Sequence, residues 1–181
     1  MNRTLIFALI LMSVLSNKTY SQNFETLTSR IFFDTDLKNV DTSLISYFKS
    51  KPGVTLNKDT GWSAYPPSDS PTFFFTLSFS SHPYFPSGFK TGSIIVQINT
   101  GSEKVSGMSL SLSYKSKTTF DSTYQSIKEL YRKYSSKSIA RPNIAPPFEV
   151  TKYISKDTSN YVTITKGETS EAFYMNIAYN Y

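Results

Sequence analysis

Hydrophobic residues recur along this chain with two different periods, and the change of period outlines the fold. From Asp36 to Lys51, Leu37, Val40, Leu44, Ile45 and Phe48 fall on one face at helical spacing, and Pro52-Gly53 closes the segment. A second helical segment, Phe120 to Tyr134, aligns Phe120, Tyr124, Ile127, Tyr131 and Tyr134, with Thr118 and Asp121 spaced as a capping pair. Between them the period falls to two. Phe73, Phe75, Leu77 and Phe79 alternate with Phe74, Thr76, Ser78 and Ser80; Ile94, Val96 and Ile98 follow the same rule, as do Met108, Leu110, Leu112 and Tyr114. Such alternation marks antiparallel strands with one packed and one wet face. Three further strands are expected after the second helix, over Phe148 to Ser155, Tyr161 to Lys166 and Ala172 to Tyr179, with turns at Asn99-Thr100-Gly101-Ser102 and Lys166-Gly167-Glu168.

The order predicts an α+β two-layer domain: tandem helix-plus-three-strand halves, a largely antiparallel six-stranded sheet, and both helices on one face. The halves, residues 34–115 and 117–181, suggest an internal duplication. Pro66-Pro67 and Pro146-Pro147 each precede a first strand, and Met108, Leu110, Leu112 and Tyr114 read in register with Phe173, Met175, Ile177 and Tyr179.

The start of the chain follows neither period. Met1-Asn2-Arg3 is cationic, Leu5 to Leu15 is apolar apart from Ser13, and polar residues resume at Asn17. This reads as a secretory signal peptide over residues 1–21, with cleavage after Ser21 and a single domain over 22–181. The apolar run is too short for a permanent membrane anchor, which needs about 20 residues. The expected location is the periplasm or the exterior.

Composition narrows the chemistry. The 181 residues include no Cys and one His, which excludes disulfides, thiolate nucleophiles, Cys-ligated metals and multi-His centres. No metal or cofactor is expected. Loss of residues 1–21 removes Arg3, Lys18 and no acid, lowering the formal charge from +6 to +4. The lysines never cluster in a run of five or six, so nucleic acid is not an expected partner. Gly-x-Ser-x-Gly and phosphate-cradling glycine loops are missing, and a single His leaves no second base. Asp34 and Asp36 are explained by the N-terminus of the first helix, where carboxylates favour the dipole.

Three binding surfaces remain. The wet face of the sheet should carry Thr76, Ser78, Ser80, Gln97, Asn99, Ser109, Ser111, Ser113, Thr151, Thr163 and Thr165, with Phe74, Tyr153 and Tyr174 among them. The loop Ser81 to Phe89 holds His82, Tyr84, Phe85 and Phe89, whose rings either cap the core or meet a partner. The connection Val54 to Pro71 holds Trp62 and Tyr65; it either functions or hides a short strand at Val54 to Leu56. These features predict an exported, non-enzymatic protein that binds a protein, peptide or envelope component. A carbohydrate-binding or carbohydrate-processing module, with rings stacked on sugars, is the alternative, and an enzyme using carboxylates alone is a third reading.

Overall fold

The computed structural model describes residues 23–37, 41, 43–63, 72–85, 88–99, 104–142 and 149–180, with backbone alone for 57–63, 72, 141 and 142. The signal-peptide segment, Tyr65 and the Trp62 side chain lie outside the described residues. Among the described residues, three helices and eight strands occur in the order α1 (Phe24–Ile31), α2 (Ser43–Lys49), β1 (Val54–Ser63), β2 (Thr72–Phe79), β3 (Phe89–Asn99), β4 (Lys104–Tyr114), α3 (Lys117–Tyr134), β5 (Ser135–Pro142), β6 (Glu149–Ser155), β7 (Tyr161–Glu168) and β8 (Phe173–Asn180). The strands form one antiparallel sheet in the order β1-β2-β3-β4-β8-β7-β6-β5. The α+β class and the antiparallel sheet agree with the sequence pattern.

The strand count does not. Four strands rather than three follow each of α2 and α3, because β1 and β5 form the two edges of the sheet. An edge strand has a neighbour on one side only, so its sequence needs little apolar alternation. Ser135–Pro142 reads SSKSIARP and carries almost none. The expected short strand at Val54 extends to Ser63, with register shifts against β2 that break the period.

Helix boundaries also move. Asn23 accepts a 2.8 Å hydrogen bond from the Thr26 N–H and starts α1, which the sequence pattern above did not include; Phe24, Leu27 and Ile31 are its buried stripe. In the first expected helix, 36–51, the described helical residues are Ser43–Lys49, and Asp41 rather than Asp34 or Asp36 supports its start, accepting from Ser43 N–H at 2.8 Å. Hydrogen bonding from the Ser43 side chain, and then from its N–H, holds the Asp41 carboxyl below its ordinary range. The cap of α3 is Ser116, whose hydroxyl accepts from Thr119 N–H at 3.3 Å, not the Thr118–Asp121 pair. Asp121 is drawn away to Lys117 at 3.4 Å and Lys166 at 3.5 Å.

The buried side chains of all three helices join one core with the inward positions of β2, β3, β4, β6, β7 and β8. Phe24 of α1 meets Tyr131 of α3 edge-on at 5.3 Å, and Thr28 Oγ1 lies 3.1 Å from Tyr131 Oη. Burial raises the Tyr131 phenol well above its ordinary range. The turn after α1 is strained, because Phe33 (φ 59°) and Asp34 (φ 61°) both adopt left-handed backbone. Tyr47 holds it by donating from Oη to Phe33 O at 2.7 Å and Asp34 O at 3.0 Å.

Two glycines are needed for packing across the ladder. Gly92 lies opposite Phe79 and Gly167 opposite Tyr174, and an added Cβ would come within 2.1 Å and 2.2 Å of those rings. Phe79 is buried, so it cannot swing aside. Gly92→Ala is expected to destabilise the protein by about 1–3 kcal/mol in urea denaturation, as overpacking does. Gly167→Ala should cost less, because the half-buried Tyr174 ring has room to move. Equal stability of the Gly92 variant and the parent would contradict the packing described.

Candidate functional site

The outward side chains of the sheet form two cross-strand rows. Ser78, Ser93, Ser111, Asn176 and Thr165 lie successively opposite one another across five strands. Beside them run Thr76, Ile95, Ser109, Ala178, Thr163 and Lys152. The Asn176 amide donates to Ser111 Oγ at 2.8 Å, which links β4 to β8 within the first row. Two open hollows indent this face. One of about 330 Å³ includes Ser78, Ser93, Ser111 and Tyr174, and one of about 300 Å³ includes Phe74, Ile95, Gln97 and Ala178. None of these side chains belongs to the helix-packed core.

Of the aromatic residues expected on this face, Phe74 and Tyr174 are there, Tyr174 with its ring over Gly167. Tyr153 and Thr151 are not. They pair with Val162 and Ile164, whose side chains are buried, and both point into the core side. The Tyr153 ring packs 5.8 Å from that of Tyr131.

The loop of β2–β3 folds onto the core. Phe85 is 5% exposed, and Phe89 packs against Phe79 and Tyr114 at 5.6 and 6.5 Å. Tyr84 donates to the Asp34 carboxylate, with Oη 2.6 and 2.8 Å from its two oxygens; burial, and then that carboxylate, push its phenol up to about 12. His82 sits at the centre of the loop, 7% exposed, with Phe33 at 4.2 Å and Phe85 at 4.7 Å. The Tyr84 N–H donates to its Nδ1 at 3.1 Å, so the proton resides on Nε2, which donates to Ile31 O at 2.9 Å. Burial lowers its pKa from 6.5 to about 4, partly opposed by the Ile31 bond. Both ring nitrogens are therefore committed, and the imidazole is neutral at pH 7. The loop aromatics and the sheet-face aromatics are not brought together into one site.

A third feature went unnoticed in the sequence. Tyr124, Lys128 and Arg132 recur every four residues along one stripe of α3, facing β5 and β6. Glu149 accepts from Lys128 Nζ at 2.7 Å and from Tyr124 Oη at 2.9 Å, and the Lys128 bond holds its carboxyl below the ordinary range. Burial, reinforced by Glu149, raises the Tyr124 phenol far above the usual value. Next to this pair is a cleft of about 270 Å³ with Arg132, Thr151 and Tyr153 in its walls. The four-residue spacing is the signal that could have revealed it.

With the Tyr124 phenol raised and the Glu149 carboxyl lowered, that pair is a neutral donor on an ionised acceptor near pH 7. Among the described residues no group of three or more His, Asp or Glu is placed to hold a metal ion, and no described helix is long and apolar enough to cross a membrane. The chain matches no protein-family model, no curated protein and no solved structure.

Proposed function

We propose that this is an exported, non-enzymatic binding protein whose working surface is the outward face of the sheet, and that it takes a protein or peptide partner. The observation that carries this reading is the pair of cross-strand rows, where hydroxyl and amide groups are interspersed with Phe74, Ile95 and Tyr174 outside the core. Surfaces of that mixed kind supply both orienting hydrogen bonds and apolar contact area. The loop residues Tyr84, Phe85 and Phe89 leave the list of partner anchors, because each is already engaged within the fold.

The test is site-specific photo-crosslinking in envelope extract. A photoreactive residue at Ser93 or Ser111 should trap one polypeptide, competed by excess unlabelled protein, while the same residue at exposed Ser170 should trap nothing. Equal labelling from Ser170 would refute the reading. Retention by an oligosaccharide array, lost in a Tyr174→Ala variant, would favour the carbohydrate-binding alternative.

Export is the second part of the proposal. Supporting it, helix α1 spans Phe24–Ile31 with its cap at Asn23, so cleavage after Ser21 leaves that helix and its cap whole. Intact-mass measurement of the exported product should show a chain beginning at Gln22. A mass that retains residues 1–21 would contradict it.

The two-layer arrangement and the duplication belong to the same reading. Both are supported by the mirrored strand order about the β4–β8 junction and by the pairing of Met108 with Tyr179 and Tyr114 with Phe173. Superposing β4 on β8 in the register read from the sequence places Ser111 on Asn176, and these two face each other in the ladder. In this reading the two halves are helix-plus-four-strand units related by a local two-fold axis through that pair.

A further inference from the structure

We infer that the outward sheet face, at its β5–β6–β7 end, takes an extended acidic peptide segment of the pattern apolar-x-acid-x-apolar, with the acidic side chain on Lys152 and the apolar ones on Val150 and Ile154. This partner belongs to the sheet-face reading proposed above and depends on it. Three observations carry it.

The first is apolar area that the core does not use. Thr151, Tyr153 and Ser155 are the buried positions of β6, so Val150, Lys152 and Ile154 alternate to the outward face. The register sets Ile139 of β5 opposite Lys152, and Tyr161 of β7 opposite Ile154. Val150, Ile154, Ile139 and Tyr161 are only half-buried, and none of them joins the helix-packed core.

The second is charge. Lys152 Nζ lies 3.4 Å from the centre of the Tyr161 ring, which holds the ammonium in the middle of this patch. Around α3, Lys117, Lys128 and Lys166 are each paired with Asp121 or Glu149, whereas Lys152 and the exposed Lys137 enter no ion pair among the described residues. Among the described residues, the outward positions of β2 to β8 carry no Asp or Glu. A second copy docked through the same patch would oppose lysine to lysine, while a carboxylate complements it.

The third is spacing. Successive side chains on one face of a strand stand about 6.8 Å apart, and so do those on one side of an extended peptide. A peptide laid along β6 therefore meets Val150, Lys152 and Ile154 with its side chains i, i+2 and i+4. Apolar contact on both sides shields the central ion pair from water and strengthens it.

Amide NMR titrations at constant ionic strength test this with acetylated, amidated heptapeptides. Ser-Val-Ser-Glu-Ser-Val-Ser should produce saturable shifts confined to β5, β6 and β7. Replacing its Glu by Gln, or shuffling it to Ser-Val-Glu-Ser-Ser-Val-Ser, should weaken binding about fivefold, the upper end for a partly exposed ion pair. Lys152→Gln should weaken the Glu peptide by the same factor and leave the Gln peptide unchanged, while Lys49→Gln on α2 should alter neither. Failure of the Glu peptide to saturate, equal affinity for the Glu and Gln peptides, or saturation by trigalacturonate but not by the Glu peptide would each overturn the inference, the last by assigning the patch to an acidic glycan. Photo-crosslinking from Ser93 or Ser111 that persists undiminished in Lys152→Gln and at high salt would overturn the acidic partner alone and leave the sheet-face reading standing.

Discussion

Leu110→Ala is expected to destabilise the protein by about 2–5 kcal/mol, the range for truncating a fully buried leucine. Leu110 is 0% exposed at the centre of the sheet, flanked in the ladder by Ile94 on β3 and Ile177 on β8. Deleting its isobutyl group leaves a cavity that pleated strands on both sides cannot close. The adjacent residue supplies the control. Ser111 points to the other face and accepts from Asn176 at 2.8 Å, so Ser111→Ala should cost about 0.5–1.5 kcal/mol, the range for one lost hydrogen bond. Urea denaturation of the two variants measures the difference. Comparable losses would mean that the two faces have been assigned wrongly.

Acid should unfold the protein partly through His82. In the folded state its pKa is about 4, whereas an unfolded chain returns it to 6.5, so between those values the unfolded state binds the additional proton. The contribution is complete above pH 6.5, declines as pH falls, and is exhausted below about pH 4. The displacement corresponds to an upper limit of about 3 kcal/mol. Its cause is spatial: the ring is enclosed by Phe33, Phe79 and Phe85, and a charged imidazolium would lose water there and oppose the Tyr84 N–H that now donates to Nδ1. His82→Gln, whose amide can still donate to Ile31 O, should be less stable than the parent at pH 8 but should lose less stability between pH 6.5 and 4. Stability profiles that stay parallel through this window would refute a neutral, buried His82.

The packed strands were legible because alternation is a local constraint. Phe73 to Phe79, Ile94 to Ile98 and Met108 to Tyr114 each set their alternate apolar side chains on one face, with Phe74 and Ile95 the exceptions on the other, and a one-residue slip would expose the packed set. β6 carries no such constraint. Its sequence, EVTKYIS, puts Val150 and Ile154 on one face and Tyr153 on the other, so pattern alone leaves the orientation open. Pairing with β7 decides it, by setting Tyr153 beside Val162 and Thr151 beside Ile164. The cleft of α3 depends on that decision, since Thr151 reaches its wall only from the inward side.

Pattern alone was enough for the α+β class, the stripe of α3, the Leu44 and Phe48 portion of the α2 stripe and the polarity of the well-patterned strands, because side-chain period and burial are coupled residue by residue. Tertiary structure decided the rest through contacts distant in the chain. It placed β1 and β5 at the edges, where weak patterning suffices, and joined the halves at β4 and β8. It turned the loop of His82 inward against the end of α1, 51 residues away, burying Phe85 and half-burying Phe89 against Phe79. Whether an aromatic side chain in a loop faces solvent or core depends on the apolar area available to cover it, and that area exists only once the sheet and helices have come together.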